Sequence, residues 1–128
     1  MIIKESAENY LEAILSIKKS KGSVRSIDVA NDLGVSKPSV SVAMKNFREE
    51  GYITVDEGGY IDLTEKGLKI ANRVYERHEI ISEALIQLGV SRETALDDSC
   101  KIEHVISEES FLKIKEFVNN KGCVTEID

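Results

Sequence analysis

The sequence predicts a mostly α-helical fold with one small β-hairpin. Apolar residues recur at the three- and four-residue spacing of amphipathic helices along most of the 128 residues. The hairpin is predicted at residues 52–63, where two short strand-like runs flank a turn formed by Glu57, Gly58 and Gly59. With 41% hydrophobic and 31% charged residues, the composition is typical of a soluble globular protein and favours packed helices over a disordered chain.

The first predicted helix extends from Ile3 to about Lys21, and Gly22 follows it as a stop. Its apolar side consists of Tyr10, Leu11, Ile14, Leu15 and Ile17. Charged residues interrupt the N-terminal segment too early for a signal peptide, and no apolar run approaches the roughly 20 residues that span a bilayer. We therefore expect a cytoplasmic protein.

Residues 26–51 predict two short helices separated by a tight turn. Gly34 ends the first helix because glycine accepts the left-handed backbone of a C-cap, and Ser36 caps the second with its hydroxyl. The apolar side of the first helix consists of Ile27, Val29, Ala30 and Leu33, and that of the second consists of Val40, Met44 and Phe47. Followed by the hairpin as a wing, the pair predicts a winged helix-turn-helix.

The outward face of the second helix carries small and basic side chains, which allow a helix to lie deep in the major groove of DNA. The residues predicted to contact base edges and methyl groups are Lys37, Pro38, Ser39 and Ser41, and Ser36 at the start of the helix belongs to the same set. The residues predicted to contact phosphates are Arg25, Lys45 and Tyr60. The alternative is an ordinary two-helix corner packed on a hairpin in an unrelated α+β domain.

The net charge of −6 argues weakly against nucleic acid, because proteins that bind DNA usually present a basic surface. Positive potential must be local, from Arg25, Lys37, Lys45 and Arg48. We therefore expect that something adds positive charge or fixes a geometry before the protein binds DNA.

Three further helices are predicted after the wing. A long helix begins at its N-cap Thr64 and continues to Gly89, which is longer than a winged domain needs, so it bridges to a second helical unit. The next helix begins at Ser91, and its predicted apolar side is Ile102, Val105 and Ile106. The last helix has the apolar side Phe111, Ile114, Phe117 and Val118, and Gly122–Asp128 is predicted to be a frayed tail.

The chain is therefore predicted to have two domains, residues 1–63 and residues 64–128. The second is too small for a stable core of its own, so its apolar helices are expected to pack against a second copy of the chain. A two-fold homodimer also suits a helix-turn-helix, because two recognition helices one DNA turn apart bind a palindrome. The alternative is a monomer whose last helices fold back on the first.

Cys100, Glu103 and His104 lie at positions i, i+3 and i+4, which places a thiol, a carboxylate and an imidazole on one face of a helix. These donors suit divalent transition metals such as Fe²⁺, Zn²⁺ or Co²⁺. The other histidine, His78, lies on the long bridging helix. The alternative for Glu103 and His104 is a solvated pair beside a buried structural cysteine.

These motifs together resemble the diphtheria toxin repressor and manganese transport regulator family of metal-dependent transcriptional repressors, in its two-domain form. The resemblance covers residues 1 to about 118, and it implies a DNA-binding repressor of metal-ion uptake genes, with residues 64–128 as bridging helix and metal-binding and dimerisation domain. The motifs that carry it are Glu8-Asn9-Tyr10-Leu11-Glu12, VSKPSVSVAMKNFREEGY, LTEKG, Arg77-His78 and Cys100-x-x-Glu103-His104-x-x-Ser107.

The resemblance implies metal ligands at Asn9, Glu12, His78, Cys100, Glu103 and His104. Asn9 departs from the family, because iron-type members carry methionine there and manganese-type members carry aspartate. Ser82 and Leu96 stand where some members have a carboxylate and a histidine, which implies that the ancillary site of iron-type members is lost. Cys100 resembles the iron-type pattern and favours Fe(II) as corepressor, with Mn(II) and Zn(II) as alternatives.

Two other functions are compatible with the sequence. One is a winged-helix regulator that senses a thiol oxidant through Cys100 without a metal, which requires an exposed, reactive cysteine. The other is a winged domain used for protein contacts, which would explain the acidic charge. A metalloenzyme with Glu103 as base is disfavoured, because the sequence shows no nucleophile motif, so no enzymatic activity is predicted.

Overall fold

The computed structural model describes residues 5–127 and, within them, the side chains of residues 6–120. The elements in chain order are α1 (Glu5–Lys21), α2 (Ser26–Leu33), α3 (Lys37–Glu49), β1 (Ile53–Val55), β2 (Ile61–Leu63), α4 (Glu65–Gln87), α5 (Arg92–Val105) and α6 (Glu108–Ile127). The predicted fold class, mostly α with one β-hairpin, is confirmed. Ile3, the predicted start of the first helix, and Asp128 lie outside the described residues.

The chain divides into two compact units, and the division lies within α4. The first unit ends at Arg73 and the second begins at Val74. Accordingly α4 contributes to both cores, since Ala71 is buried in the first unit and Ile81 in the second. In the part of the chain that the structure describes, no helix combines the length and the apolar character that crossing a membrane requires.

The first unit is a winged helix-turn-helix. α2 ends at Gly34, whose φ of 66° is left-handed, and the Ser36 hydroxyl accepts a hydrogen bond from the Ser39 N–H at the start of α3. β1 and β2 pair antiparallel with Thr54 opposite Asp62. The buried core draws apolar side chains from the three helices and both strands that precede α4, among them Leu11, Ile14, Val29, Val40, Phe47, Ile53 and Ile61.

One residue assigned to the core of this unit is not buried. Ile27 was expected on the apolar side of α2 but is 40% exposed. It lies two residues before Val29, about 200° around a helix of 3.6 residues per turn, so the two side chains leave opposite faces. The buried face of α2 is therefore limited to Val29 and Ala30.

The N-terminus of α4 is anchored to the corner between α3 and β1. Thr64 caps α4, because its Oγ1 accepts a hydrogen bond from the Gly67 N–H (3.2 Å) and donates one to the Gly51 carbonyl (2.6 Å). Lys66 Nζ lies 4.5 Å from the centre of the Tyr52 ring. Gly67 packs so closely on the backbone of Tyr52 that a Cβ there would overlap the Tyr52 carbonyl oxygen.

The second unit consists of the rest of α4 with α5 and α6. α5 buries Ala95, Ser99 and Glu103, which follow each other at four-residue intervals along one face. The apolar side predicted for α5 is wrong, because Val105 is 76% exposed and Ile106 lies beyond the helix as its C-cap. The buried face of this helix instead consists of small and polar side chains.

The last helix is longer than predicted. α6 buries Phe111 and Val118 at the predicted spacing, whereas Phe117 is 48% exposed. Its helical backbone continues to Ile127, so the frayed tail predicted from Gly122 is wrong. A single glycine costs a helix only about 1 kcal/mol relative to alanine, and no proline follows to end the helix.

We expect Gly67→Ala to destabilise the protein by about 1–3 kcal/mol, because the new methyl group overlaps backbone atoms of Tyr52 that cannot swing aside. Helix propensity alone predicts the opposite sign, since alanine is favoured over glycine by about 1 kcal/mol. Urea denaturation followed by circular dichroism measures the change. Asn72→Ala, at an exposed position of the same helix, is the control and should stay within about 0.5 kcal/mol of wild type. A Gly67→Ala variant more stable than wild type would contradict the close approach.

Candidate metal centre and nucleic-acid interface

Three side chains of the second unit form a compact group of potential metal ligands. His78 comes from α4, Cys100 and Glu103 come from α5, and one donor atom of each lies within 4.8 Å of the others. His78 Nδ1 lies 2.9 Å from Glu103 Oε2 and 3.9 Å from Cys100 Sγ. Local spacing brings the two α5 residues together, but only the packing of α4 against α5 adds the imidazole.

Glu103 is the most unusual member of this group, because its side chain is fully buried at 0% exposure. Its Oε2 contacts His78, while its Oε1 has no hydrogen-bond partner among the described residues and lies 3.4 Å from His104 Nε2. The His104 side chain is also buried, at 1% exposure. A buried carboxylate is costly unless a charge compensates it, and a cation bound between these donors would do so.

The donor set therefore fits a divalent transition metal. Thiolate and imidazole ligands suit Fe²⁺, Zn²⁺ and Co²⁺, and a carboxylate binds these ions as well as Mn²⁺. Cys100 is exposed, so its sulfur is accessible to an ion from solvent. The side chain of the other cysteine, Cys123, lies outside the described residues. The unsatisfied oxygen of Glu103 provides a further position for the ion.

A buried pair of hydroxyl groups supports the imidazole. Ser99 Oγ lies 3.1 Å from His78 Nδ1 and 2.7 Å from Ser82 Oγ, and it donates to the Leu96 carbonyl at 3.0 Å. Both serines are buried. Ser99 thus contacts the same ring nitrogen that faces Glu103 and Cys100, and it helps to hold the imidazole against α5. The sequence analysis missed Ser99, although its position four residues before Glu103 was the available signal.

Arg77 holds the C-terminal end of α5. Its buried guanidinium donates to the carbonyl oxygens of Ile106 (3.0 Å) and Glu103 (3.4 Å) and pairs with the Glu108 carboxylate (3.1 Å). It also lies 5.3 Å from the centre of the Phe111 ring. The last carbonyls of a helix have no intrahelical partners, so these bonds fix the turn that carries the candidate ligands. The sequence analysis did not predict this role, although a basic residue at a core position of α4 was the available signal.

The two remaining predicted ligands lie in the first unit. Asn9 and Glu12 are three residues apart on α1 and are half-buried. The structure brings together the four predicted ligands of the second unit, whereas the assignment of Asn9 and Glu12 as ligands stays a prediction.

The outward face of α3 presents the residues predicted to contact DNA. The exposed members of this face are Lys37, Pro38, Ser39, Ser41 and Lys45. Ser36 and Ser39 contact each other, because the Ser39 N–H donates to the Ser36 hydroxyl (3.3 Å), which in turn donates to the Ser39 hydroxyl (2.8 Å). Ser36 thus shapes the start of α3.

Arg25 and Tyr60 form a second exposed feature, where the hairpin meets α2. The Arg25 guanidinium lies 5.2 Å from the centre of the Tyr60 ring, and the two backbones form an isolated antiparallel bridge. The Arg25 N–H donates to the Asp28 carboxylate at 2.9 Å. Hydrogen bonds from Lys21 and from this backbone N–H lower the pKa of Asp28 below its ordinary value. A cation and a phenol are suited to phosphate oxygens.

A winged helix-turn-helix joined to a cluster of metal ligands defines a class, the metal-responsive DNA-binding regulators. The family model described as "Iron dependent repressor, N-terminal DNA binding domain" matches residues 3–60. The model described as "Iron dependent repressor, metal binding and dimerisation domain" matches residues 64–122. The chain belongs to the iron-dependent repressor family, whose members are metal-dependent transcriptional regulators rather than enzymes. The predicted resemblance is thereby confirmed.

Individual proteins that are similar to this chain in sequence or structure support the same family assignment. The "Transcriptional regulator MntR" of Escherichia coli O6:H1 is 34% identical over 120 residues, covering 94% of this chain and 77% of that protein. The crystal structure of T. acidophilum IdeR has a TM-score of 0.80 at 25% identity, covering 93% of this chain and 55% of that one. A manganese-dependent transcriptional repressor in complex with manganese has a TM-score of 0.79 at 25% identity, covering 88% and 52%. This chain thus spans about half the length of the two solved structures.

We expect Glu103→Gln to separate metal binding from stability. Glutamine keeps the shape of the side chain but removes a buried negative charge, so the metal-free variant should melt at or above the temperature of the metal-free wild type. The rise in melting temperature on adding Mn²⁺ should disappear, because that rise measures binding to the folded state. Scanning calorimetry gives both quantities. Glu109→Gln, at an exposed position of α6, should keep the full rise. A variant that melts lower without metal yet keeps the metal response would rule out Glu103 as a ligand.

Proposed function

We propose that this chain represses genes of metal-ion uptake by binding a palindromic operator as a homodimer, with Fe²⁺ favoured as the corepressor. The observation that carries the proposal is the group of His78, Cys100 and Glu103, built into the same chain as the exposed face of α3. His104 joins the proposed ligand set through its contact with Glu103. Asn9 and Glu12 complete the set on the basis of the sequence resemblance. Because the proposed target is chromosomal DNA, the proposed site of action is the cytoplasm.

Thermodynamic linkage connects the two activities. His78 lies on α4, and the first turn of the same helix is anchored by Gly67 beside Tyr52, at the end of the helix-turn-helix. If the ligands bind an ion more tightly in the arrangement that binds DNA, the ion raises the affinity for the operator, typically by ~1–3 kcal/mol. Operator binding must then raise the affinity for the ion by the same factor.

Exposed apolar side chains of the second unit support the homodimer. Leu88, Val105 and Leu112 are 71%, 76% and 50% exposed in the single chain. A surface that covered these side chains would remove their apolar area from water, which favours association. A second copy is the proposed partner, because the family model for this region describes dimerisation. Two-fold symmetry then implies a palindromic operator.

The proposal of Fe²⁺ rests on Cys100. A thiolate is a softer ligand than a carboxylate, and Asn9 would contribute a neutral amide, so the donor set leans away from the hard oxygen ligands that suit Mn²⁺. A second candidate function follows from the same residue. Cys100 is exposed and lies 3.9 Å from the His78 ring, an arrangement that also suits a thiol sensor of oxidants.

We expect Fe²⁺, added without oxygen, to raise the affinity for a duplex operator selected from random sequences by about 5–150-fold, with two chains bound per duplex. Lys37→Ala should weaken operator binding by ~1–3 kcal/mol if it contacts a base, and Lys45→Ala should lower the salt slope by about one if it contacts a phosphate. Fluorescence anisotropy measures affinity and light scattering measures stoichiometry.

Ser20→Ala, at an exposed position of α1, is the control and should bind like wild type. Equal binding of all three variants would move the DNA-contacting surface away from α3. Binding without any dependence on salt would favour a winged domain used for protein contacts.

We expect wild type to bind Fe²⁺ more tightly than Mn²⁺, and Asn9→Asp to narrow or reverse this preference. The added carboxylate contributes negative charge and a hard oxygen, which favour Mn²⁺ over an amide ligand. Anaerobic calorimetric titration of both proteins with both ions is the measurement. Tighter binding of Mn²⁺ by wild type would overturn the iron assignment. If neither ion binds and oxidation of Cys100 reversibly abolishes DNA binding, the thiol sensor replaces the metal-dependent repressor.

A further inference from the structure

An apolar side chain lies at the centre of the outward face of α3. Val42 is 62% exposed, although valine is one of the residues most often buried in proteins. At about 100° per residue, Val42 lies about 200° from both Val40 and Met44 and about 140° from Phe47, the three residues that bury the inner face. Before the last turn of α3, no other residue of the helix points more directly away from the core of the unit.

The surroundings of Val42 are suited to DNA. Pro38 lies one turn before it and Lys45 one turn after it on the same face, and both are exposed. The sequence KPSVSVAMKNFRE of α3 contains no acidic residue until Glu49 in its last turn. The outward face is therefore locally cationic at its edges and apolar at its centre, in a chain whose net charge is −6.

The chemistry of valine limits what it can recognise in a major groove. It has no side-chain donor or acceptor, so it cannot read the hydrogen-bonding edges of adenine, guanine or cytosine. The apolar group that the groove presents is the 5-methyl of thymine. A branched side chain without water-binding atoms gains free energy by covering that methyl and loses free energy against a polar base edge.

We propose that Val42 is a specificity-determining residue that contacts the 5-methyl group of one thymine in each half of the operator. The inference rests on the proposed function, because it requires that α3 enter the major groove. Val42 was not among the residues predicted from the sequence to contact DNA, which were mainly small or basic. With Pro38 beside it, Val42 gives α3 an apolar strip that selects thymine over cytosine and over uracil.

Replacement of thymine by deoxyuridine tests this contact directly, because it removes only the methyl group and keeps base pairing. The probe is the operator duplex selected from random sequences by the full-length wild-type protein with Mn²⁺, in which each symmetric pair of thymines is replaced in turn. At one pair, wild-type affinity should fall by about 4-fold for each half-site, or about 15-fold for both, the amount expected for one buried methyl group per contact.

Val42→Ala should bind the thymine operator more weakly than wild type and should bind the thymine and uracil duplexes equally. Val35→Ala, a truncation of an exposed valine in the turn before α3, is the matched control and should keep the wild-type preference for thymine. Circular dichroism shows whether both variants are folded.

The outcomes distinguish this inference from the function on which it rests. If wild type binds the operator but no thymine pair is sensitive to uracil, the inference is overturned and the proposed function stands. If a uracil-sensitive pair is found and Val42→Ala is equally sensitive to it, another residue contacts the methyl group and the inference is likewise overturned. If no sequence-specific binding can be selected at all, the proposed function itself fails.

Discussion

The buried carboxylate of Glu103 is the constraint on which the second unit depends. α5 turns Ala95, Ser99 and Glu103 inward, so this helix offers little apolar area to the interior. Burying apolar surface contributes about 25 cal/mol per Å² to the free energy of folding, and a helix face of this composition loses most of that contribution. The helix is held instead by the bonds of Arg77 at its C-terminal end and by the contact between Glu103 and His78. A cation bound among these donors would add positive charge beside the buried carboxylate and would link the stability of this unit to metal occupancy.

The first unit is stabilised in a different way. Its helices and hairpin surround an apolar core that includes Val29, Val40 and Ile53, and Ser36 caps α3 at its edge. Gly67 joins this unit at the corner after α3, because only a residue without a side chain allows α4 to lie against the backbone of Tyr52. The first unit thus has an apolar core of its own, separate from the polar side chains that α5 buries in the second unit.

Local signals predicted most of the fold. Gly34, Ser36, Thr64 and Ser91 end or cap helices where expected, because capping depends on residues adjacent in sequence. The i, i+3 and i+4 spacing on α5 likewise indicated the candidate metal ligands of that helix, since positions on one helix fix this spacing. Contacts between helices were not predictable in this way. The roles of Ser99 and Arg77 depend on how α4 packs on α5, and the apolar residues of α5 were misassigned because periodicity does not reveal a face buried for polar chemistry.

The acidity of the chain decides which kind of DNA recognition is available to the proposed repressor. Non-specific affinity comes almost entirely from phosphate contacts, and a chain of net charge −6 gains little from them. Specific affinity would then come from the base contacts proposed for α3, among which an apolar contact such as the one proposed for Val42 is independent of salt. Weak non-specific affinity also reduces the competition between the operator and the other DNA sites of the genome for the protein. A coupling of ~1–3 kcal/mol can release such a protein from its operator, whereas a strongly basic protein would stay on DNA when the ion is lost. The net charge that argued against nucleic acid would therefore favour a repressor whose DNA binding is controlled by a metal.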